Sequence, residues 1–193
     1  KLRPGYVLGA YQYRANDNGN GFVWALPKGL AFPEPGDCPR IERVFLKPPK
    51  PPGACDDFME AIQGDCTPES YLAASLLKRE LAEFGAMWHG CDWGTHTILA
   101  ANPLTSPPSV LSKQGFTDAD LGMGAEWRWK VAEPVEWRPC VSLGKRGVQV
   151  VFYTFSGLAT QTIFKHVDRY REASYVSRER VQTIATGPTG YVF

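Results

Sequence analysis

What the chain lacks narrows the field first. No stretch approaches the ~18 consecutive apolar residues that a membrane-spanning helix needs. The most apolar run, Val148 to Tyr153, is short and is interrupted by Gln149. The chain therefore reads as soluble, with no membrane partner expected. There is no excess of either charge, since 21 basic side chains against 20 acidic ones leave a formal charge of +1. That excludes a strongly basic nucleic-acid coat and a highly charged disordered tail. No CxxC pair occurs, which argues against zinc ribbons, thioredoxin-type centres and most iron–sulfur ligation. The phosphate-cradling patterns GxxxxGK[ST] and GxGxxG are missing, and Gly122-Met123-Gly124 has neither a third glycine nor a following helical pattern. Without GxSxG there is no α/β-hydrolase serine elbow. No cofactor is expected. The chain opens at Lys1 with neither an initiator Met nor a charged-then-apolar leader, so a removed leader or a longer parent product is the expectation, and the compartment stays open.

What is present suits one ordinary domain spanning residues 1–193. Hydrophobic residues at 44%, with aromatics at 12%, are enough to fill a core. Nineteen glycines and sixteen prolines cluster between periodic segments, so the loops should be long and stiffened by proline. Five cysteines, an odd number, leave at least one unpaired in a monomer: Cys38 with Cys55 and Cys66 with Cys91 is one possible pairing, and five reduced thiols is the other.

Tyr6 to Tyr13 and Gly21 to Leu26 are β-prone and flank an Asn/Gly-rich turn. Asn16, Asn18 and Asn20 mimic the start of a calcium loop, but its twelfth position, which needs a bidentate Glu, is Pro27. Ile41 to Leu46 is a candidate strand, and the Pro-rich stretch within 47–54 favours an extended spacer. Thr67 is an N-cap, with Pro68 and Glu69 suited to a first helical turn. Ala74, Leu77, Leu81, Phe84 and Trp88 then recur at helical spacing, which predicts a long helix stopping near Gly90. A shorter helix is expected over Asp56 to Gln63. Glu126 to Val131, Val148 to Phe155, Thr160 to Tyr170 and Tyr175 to Ala185 read as antiparallel strands. The expected fold is α+β, with the Ala74–Trp88 stripe of a long central helix buried on a mostly antiparallel, curved sheet.

Several residues carry candidate chemistry. His89, Cys91, Asp92 and His96 are the densest group of possible metal ligands, at no standard metal spacing, beside the plainer reading of packed or dipole-facing side chains. Cys66 precedes the helix cap, where a thiolate is stabilised; His166 as base and Asp168 as its orienter lie on alternate positions of one strand. Trp93, Trp127, Trp129 and Trp137 are candidate ligand anchors. Trp127 and Trp129 must share a strand face, as core or as platform. Arg169, Arg171, Arg178 and Arg180, with Tyr170 and Tyr175, resemble a single-strand platform in composition, yet Asp168, Glu172 and Glu179 interleave them. A solvated edge is favoured and nucleic acid disfavoured. Two function classes follow: a non-catalytic binding or assembly module using Trp- and Pro-rich loops, for a protein or small-molecule ligand, and a small thiol-dependent hydrolase or acyl-transfer enzyme.

Overall fold

The computed structural model describes residues 1–15, 18–32, 34, 50–105 and 127–191. Its elements in chain order are strands β1 (Tyr6–Ala15) and β2 (Asn18–Pro27), helix α1 (Pro68–Ala82), and strands β3 (His96–Leu99), β4 (Arg128–Trp129), β5 (Cys140–Gly144), β6 (Gly147–Ser156), β7 (Thr160–Tyr170) and β8 (Ser177–Thr189). Short 3-10 turns cover Phe58–Ala61, Trp88–Gly90 and Trp93–Thr95. The strand at Ile41 to Leu46, Cys38, the start of the Pro-rich spacer, Glu126 and the Gly122 region lie outside the described residues.

The expected long central helix on a sheet is corrected: the structure is mostly β, 45% strand against 16% helix, with two sheets among the described residues. Helix α1 begins as predicted, with the Thr67 side chain accepting from the Ser70 N–H and Pro68 in the first turn, but it runs only fifteen residues. Glu83 caps its C-terminus, and Gly85 follows at φ +73, a conformation that ends helices. Phe84 and Trp88 therefore leave the apolar stripe and stand 45% and 49% exposed. The face that is buried carries Tyr71, Ala74, Ser75 and Arg79, spaced as one helical face but too polar to be seen by hydrophobicity. The shorter helix expected over Asp56 to Gln63 is a single 3-10 turn, Phe58–Ala61, held by a capping box between Asp57 and Glu60.

Main-chain packing divides the chain into two compact units: residues 1–94 with 145–148 and 170–177, and residues 95–144, 149–169 and 178–193. In the first unit β1 and β2 form a two-stranded antiparallel sheet in which Tyr11 faces Phe22 and Gly9 faces Trp24. Tyr11 meets Trp24 edge-on at 5.0 Å, and Phe32 at 5.7 Å. Phe32 can lie there only because position 9 is glycine: a Cβ would stand 1.7 Å from its ring. Residues 51–54, the described end of the Pro-rich stretch, form a tight turn. Ala54 N–H donates to Pro51 O, and Gly53 takes φ +79, as the third position of a type II turn requires.

The second sheet runs β3-β6-β7-β8-β4, with β5 also paired to β6. β6 and β7 match the β-branched and aromatic runs of the sequence to within a residue at each end. The predicted Glu126–Val131 strand shrinks to Arg128–Trp129, which pairs with Thr186 and Ala185. The core of the second unit joins Leu99, Trp137, Tyr153, Phe155, Ile163 and Ile184, with Trp127 and Trp129 packed against it.

Candidate functional site

The outer edge of β2 turns main-chain groups away from β1, and along it Gly21 is buried against the Phe84 carbonyl. Gly19 exchanges both its N–H and its C=O with Met87, and Ala25 O accepts from the Cys55 N–H at 2.9 Å. Both residues thus aim their peptide groups away from β1, and by the period of a strand Gly21 and Val23 between them do the same. Met87 and Cys55 clasp the two ends of this edge. Between them lies a groove of about 330 Å³, lined by Gly21 to Trp24, Cys55 to Phe58, Lys78 and Ala82. Phe22, Trp24 and Phe58 give it aromatic walls, with Phe22 and Trp24 stacked at 6.3 Å. Lys78 Nζ donates to Asp57 Oδ2 at 2.9 Å in a half-buried pair. Asp56 pairs with Lys50 out in solvent, which holds its carboxyl below the ordinary range. Burial pushes the Cys55 thiol up, and Glu60 adds to the shift.

Cys66 lies at the start of α1, in the same unit. It is exposed, adopts the left-handed region at φ 62, and its N–H donates to Tyr175 Oη at 2.8 Å. Tyr175 Oη also shares a hydrogen bond with Ser70 Oγ at 2.7 Å, and its ring stacks on Tyr71 at 4.9 Å. Burial first, then the Cys66 thiol, push the Tyr71 phenol up to about 12. Asp65 accepts from the N–H and hydroxyl of Thr67, which hold its carboxyl below the ordinary range.

His166 and Asp168 belong to the second unit. Both are buried on one face of β7, as alternation requires. His166, 2% exposed, shares a hydrogen bond between Nε2 and Thr154 Oγ1 at 2.8 Å and stacks on Phe152 at 4.7 Å. Thr154 Oγ1 also meets His96 Nδ1 at 2.8 Å, so one buried hydroxyl links two imidazoles across β3, β6 and β7. Cys66 thus sits with tyrosines in one unit, while His166 and Asp168 sit with a threonine and a second histidine in the other. Among the possible metal ligands, Cys91 belongs to the first unit and His96 to the second. The His89 side chain is outside the described residues. No group of three or more His, Cys, Asp or Glu gathers at one point among the described residues. Cys55, Cys66, Cys91 and Cys140 are free thiols, so the Cys66–Cys91 pairing is not formed.

The candidate tryptophan anchors divide. Trp137 is buried, 6% exposed, and Trp127 and Trp129 are half-buried against the same core. Trp93 is in the first unit, its indole N–H donating to Glu80 Oε1 at 2.8 Å and the Arg79 guanidinium 5.5 Å over its ring. Sequence reasoning passed over Phe22 and Trp24 as groove residues. The signal was present in Phe22-Val23-Trp24, an aromatic pair at strand spacing beside a turn.

No protein family, curated protein or solved structure matches the chain.

Proposed function

We propose that the chain is a non-catalytic binding module whose first unit takes an extended peptide segment along the outer edge of β2. What supports this reading is the aromatic groove beside the outer edge of β2, where the strand's alternation turns the peptide groups of Val23 away from β1. Strand addition uses such main-chain groups for affinity and side-chain pockets for selection. The groove's volume falls within the ~300–1,000 Å³ common for ligand sites. Its walls favour an apolar side chain against Phe22, Trp24 and Phe58. Two carboxylates against one amine in the lining favour a basic side chain beside it. The Asp56–Lys50 pair is solvent-exposed, and such pairs contribute little, so Asp56 can exchange Lys50 for a ligand cation.

A peptide library displayed on phage and selected against the full chain tests this. The expected result is enrichment of segments with an apolar residue next to Lys or Arg, and loss of the selected peptides on Ala82→Trp, which fills the groove, and on Asp56→Lys. No enrichment, or binding indifferent to both substitutions in variants that keep the wild-type circular dichroism, overturns it. The alternative, a thiol-dependent hydrolase or acyl-transfer enzyme, rests on the exposed Cys66 thiol just before the cap of α1. Turnover of p-nitrophenyl acetate abolished by Cys66→Ser would favour it; equal turnover by both proteins would remove it.

A further inference from the structure

The pleat of a strand sorts charge by parity, and here it undoes a neutrality that the linear sequence suggests. Read along the chain, Asp168 and Glu179 interleave Arg169, Arg178 and Arg180. In β7, Lys165, Val167 and Arg169 share one face, and Asp168 is fully buried on the other. In β8, Arg178, Arg180 and Gln182 alternate with Glu179 and Val181 in the same way. The cations are thus collected on one side of the sheet and these two carboxylates on the opposite side. On the cationic side Lys165, Val167, Arg169, Arg180 and Gln182, with Gln149 and Val151 of β6, line a cavity of about 200 Å³. Among the described residues no carboxylate lines it.

Like charges on one sheet face repel. An oxyanion placed among them turns that repulsion into attraction. The lining is also chemically suited to one. Arg169 Nε donates to Gln149 Oε1 at 3.4 Å, a bond that uses Nε and neither of the two Nη groups with which guanidinium grips oxyanions. Lys165 Nζ sits 6.0 Å from the centre of the Tyr153 ring, a buried aromatic that steadies the ammonium as a point charge. The glutamine amides add neutral donors. Val151 and Val167 supply an apolar floor, and Val151 is continuous with the core of the second unit. A cavity on the order of six or seven water volumes, at ~30 Å³ each, holds a tetrahedral oxyanion and a small carbon group attached to it. It is too small for a run of nucleotides.

We infer that this cavity is a binding site for a single phosphate or sulfate monoester, with the ester group on the valine floor and the oxyanion among Lys165, Arg169 and Arg180. This site lies in the second unit and does not depend on the peptide-binding reading of the first.

Titration calorimetry of the full chain with phenyl phosphate tests it, with phenyl sulfate, inorganic phosphate, phenol and a fifteen-residue oligothymidylate lacking terminal phosphate as separate arms. Phenyl phosphate or phenyl sulfate is expected to bind, displaced by inorganic phosphate, with phenol silent; the tighter of the two names the oxyanion. Arg169→Gln and Arg180→Gln, both at exposed positions, should each weaken binding about tenfold, as loss of a charge-assisted contact does. Arg138→Gln, outside the cavity, should change nothing. Absence of binding by both esters at millimolar concentration, or binding unchanged in the Arg169→Gln, Arg180→Gln double variant, overturns the inference. So does an oligothymidylate that binds more tightly than either ester, with a salt slope steepening by ~0.7 per phosphate engaged, because that marks an extended polyanion surface instead.

Discussion

Tyr71 sits in an environment far from that of solution. Burial and the neighbouring Cys66 thiol push its phenol up to about 12, whereas the unfolded chain releases that proton near ~10. The folded state therefore keeps a proton that the unfolded state gives up. The stability this supplies is complete below pH ~10 and lost as pH rises toward about 12. Urea midpoints measured across that window should fall, and the fall should be smaller in Tyr71→Phe; parallel curves for the two proteins would show that the phenol is not responsible. Trp137 makes a second case at this scale. It is buried between Trp129 at 6.3 Å and Tyr153 at 5.3 Å. Trp137→Ala is expected to cost ~3–5 kcal/mol of unfolding free energy, the range for emptying a large aromatic site. A loss below ~1 kcal/mol in the same urea experiment would mean the site collapses or was never filled.

At the scale of elements, legibility followed local chemistry. The start of α1 was readable because Thr67, Pro68 and Glu69 act on their own turn. Thr67→Ala should accordingly cost ~1 kcal/mol, the ordinary worth of a cap, in equilibrium denaturation. The end of the helix was not readable from apolar spacing, since Phe84 and Trp88 continue the pattern past the point where Gly85 and the Glu83 cap turn the chain away. The same spacing hid the buried face, because Ser75 and Arg79 are polar. They enter the interior through specific partners: Ser75 Oγ with Tyr170 Oη at 2.6 Å, and Arg79 Nη1 with Ser75 O at 2.8 Å. Strands β3 and β5 escaped notice because they are four and five residues long and carry no alternation strong enough to separate them from loop. Of the candidate site residues, Cys66 stands just before α1 and His166 within β7, where the helix cap and the β-branched run placed them. Nothing in the sequence could say which neighbours each would acquire.

At the scale of the whole molecule, the second sheet is built from distant pairings: His96 faces Ser156, and Arg128 faces Thr186. Each such pairing closes a long loop before any contact offsets the lost entropy, and folding slows as that separation grows. Refolding followed by tryptophan fluorescence should therefore take milliseconds to seconds, as for other non-local β topologies. Completion within tens of microseconds would be incompatible with this strand order. The alternation that separates Lys165, Arg169 and Arg180 from Asp168 and Glu179 belongs to this scale too. A formal charge of +1 describes the chain, but each side of a sheet carries its own balance.

Glu83 does more than end a helix. Its carboxylate accepts from three consecutive peptide N–H groups, those of Asp92, Trp93 and Gly94. Successive amides converging on one point form a concave nest for an anion, and here the protein carries that anion on its own chain. Shortening the side chain in Glu83→Ala leaves the nest without its occupant, at a cost of ~2 kcal/mol for charge-assisted bonds lost. A small carboxylate from solution has the same head group and fits where the side chain was. Adding acetate or formate should then raise the melting temperature of Glu83→Ala more than that of the wild type, while chloride at equal ionic strength should not. Chemical rescue of this kind would make the variant a reporter of carboxylate concentration, with thermal stability as its readout.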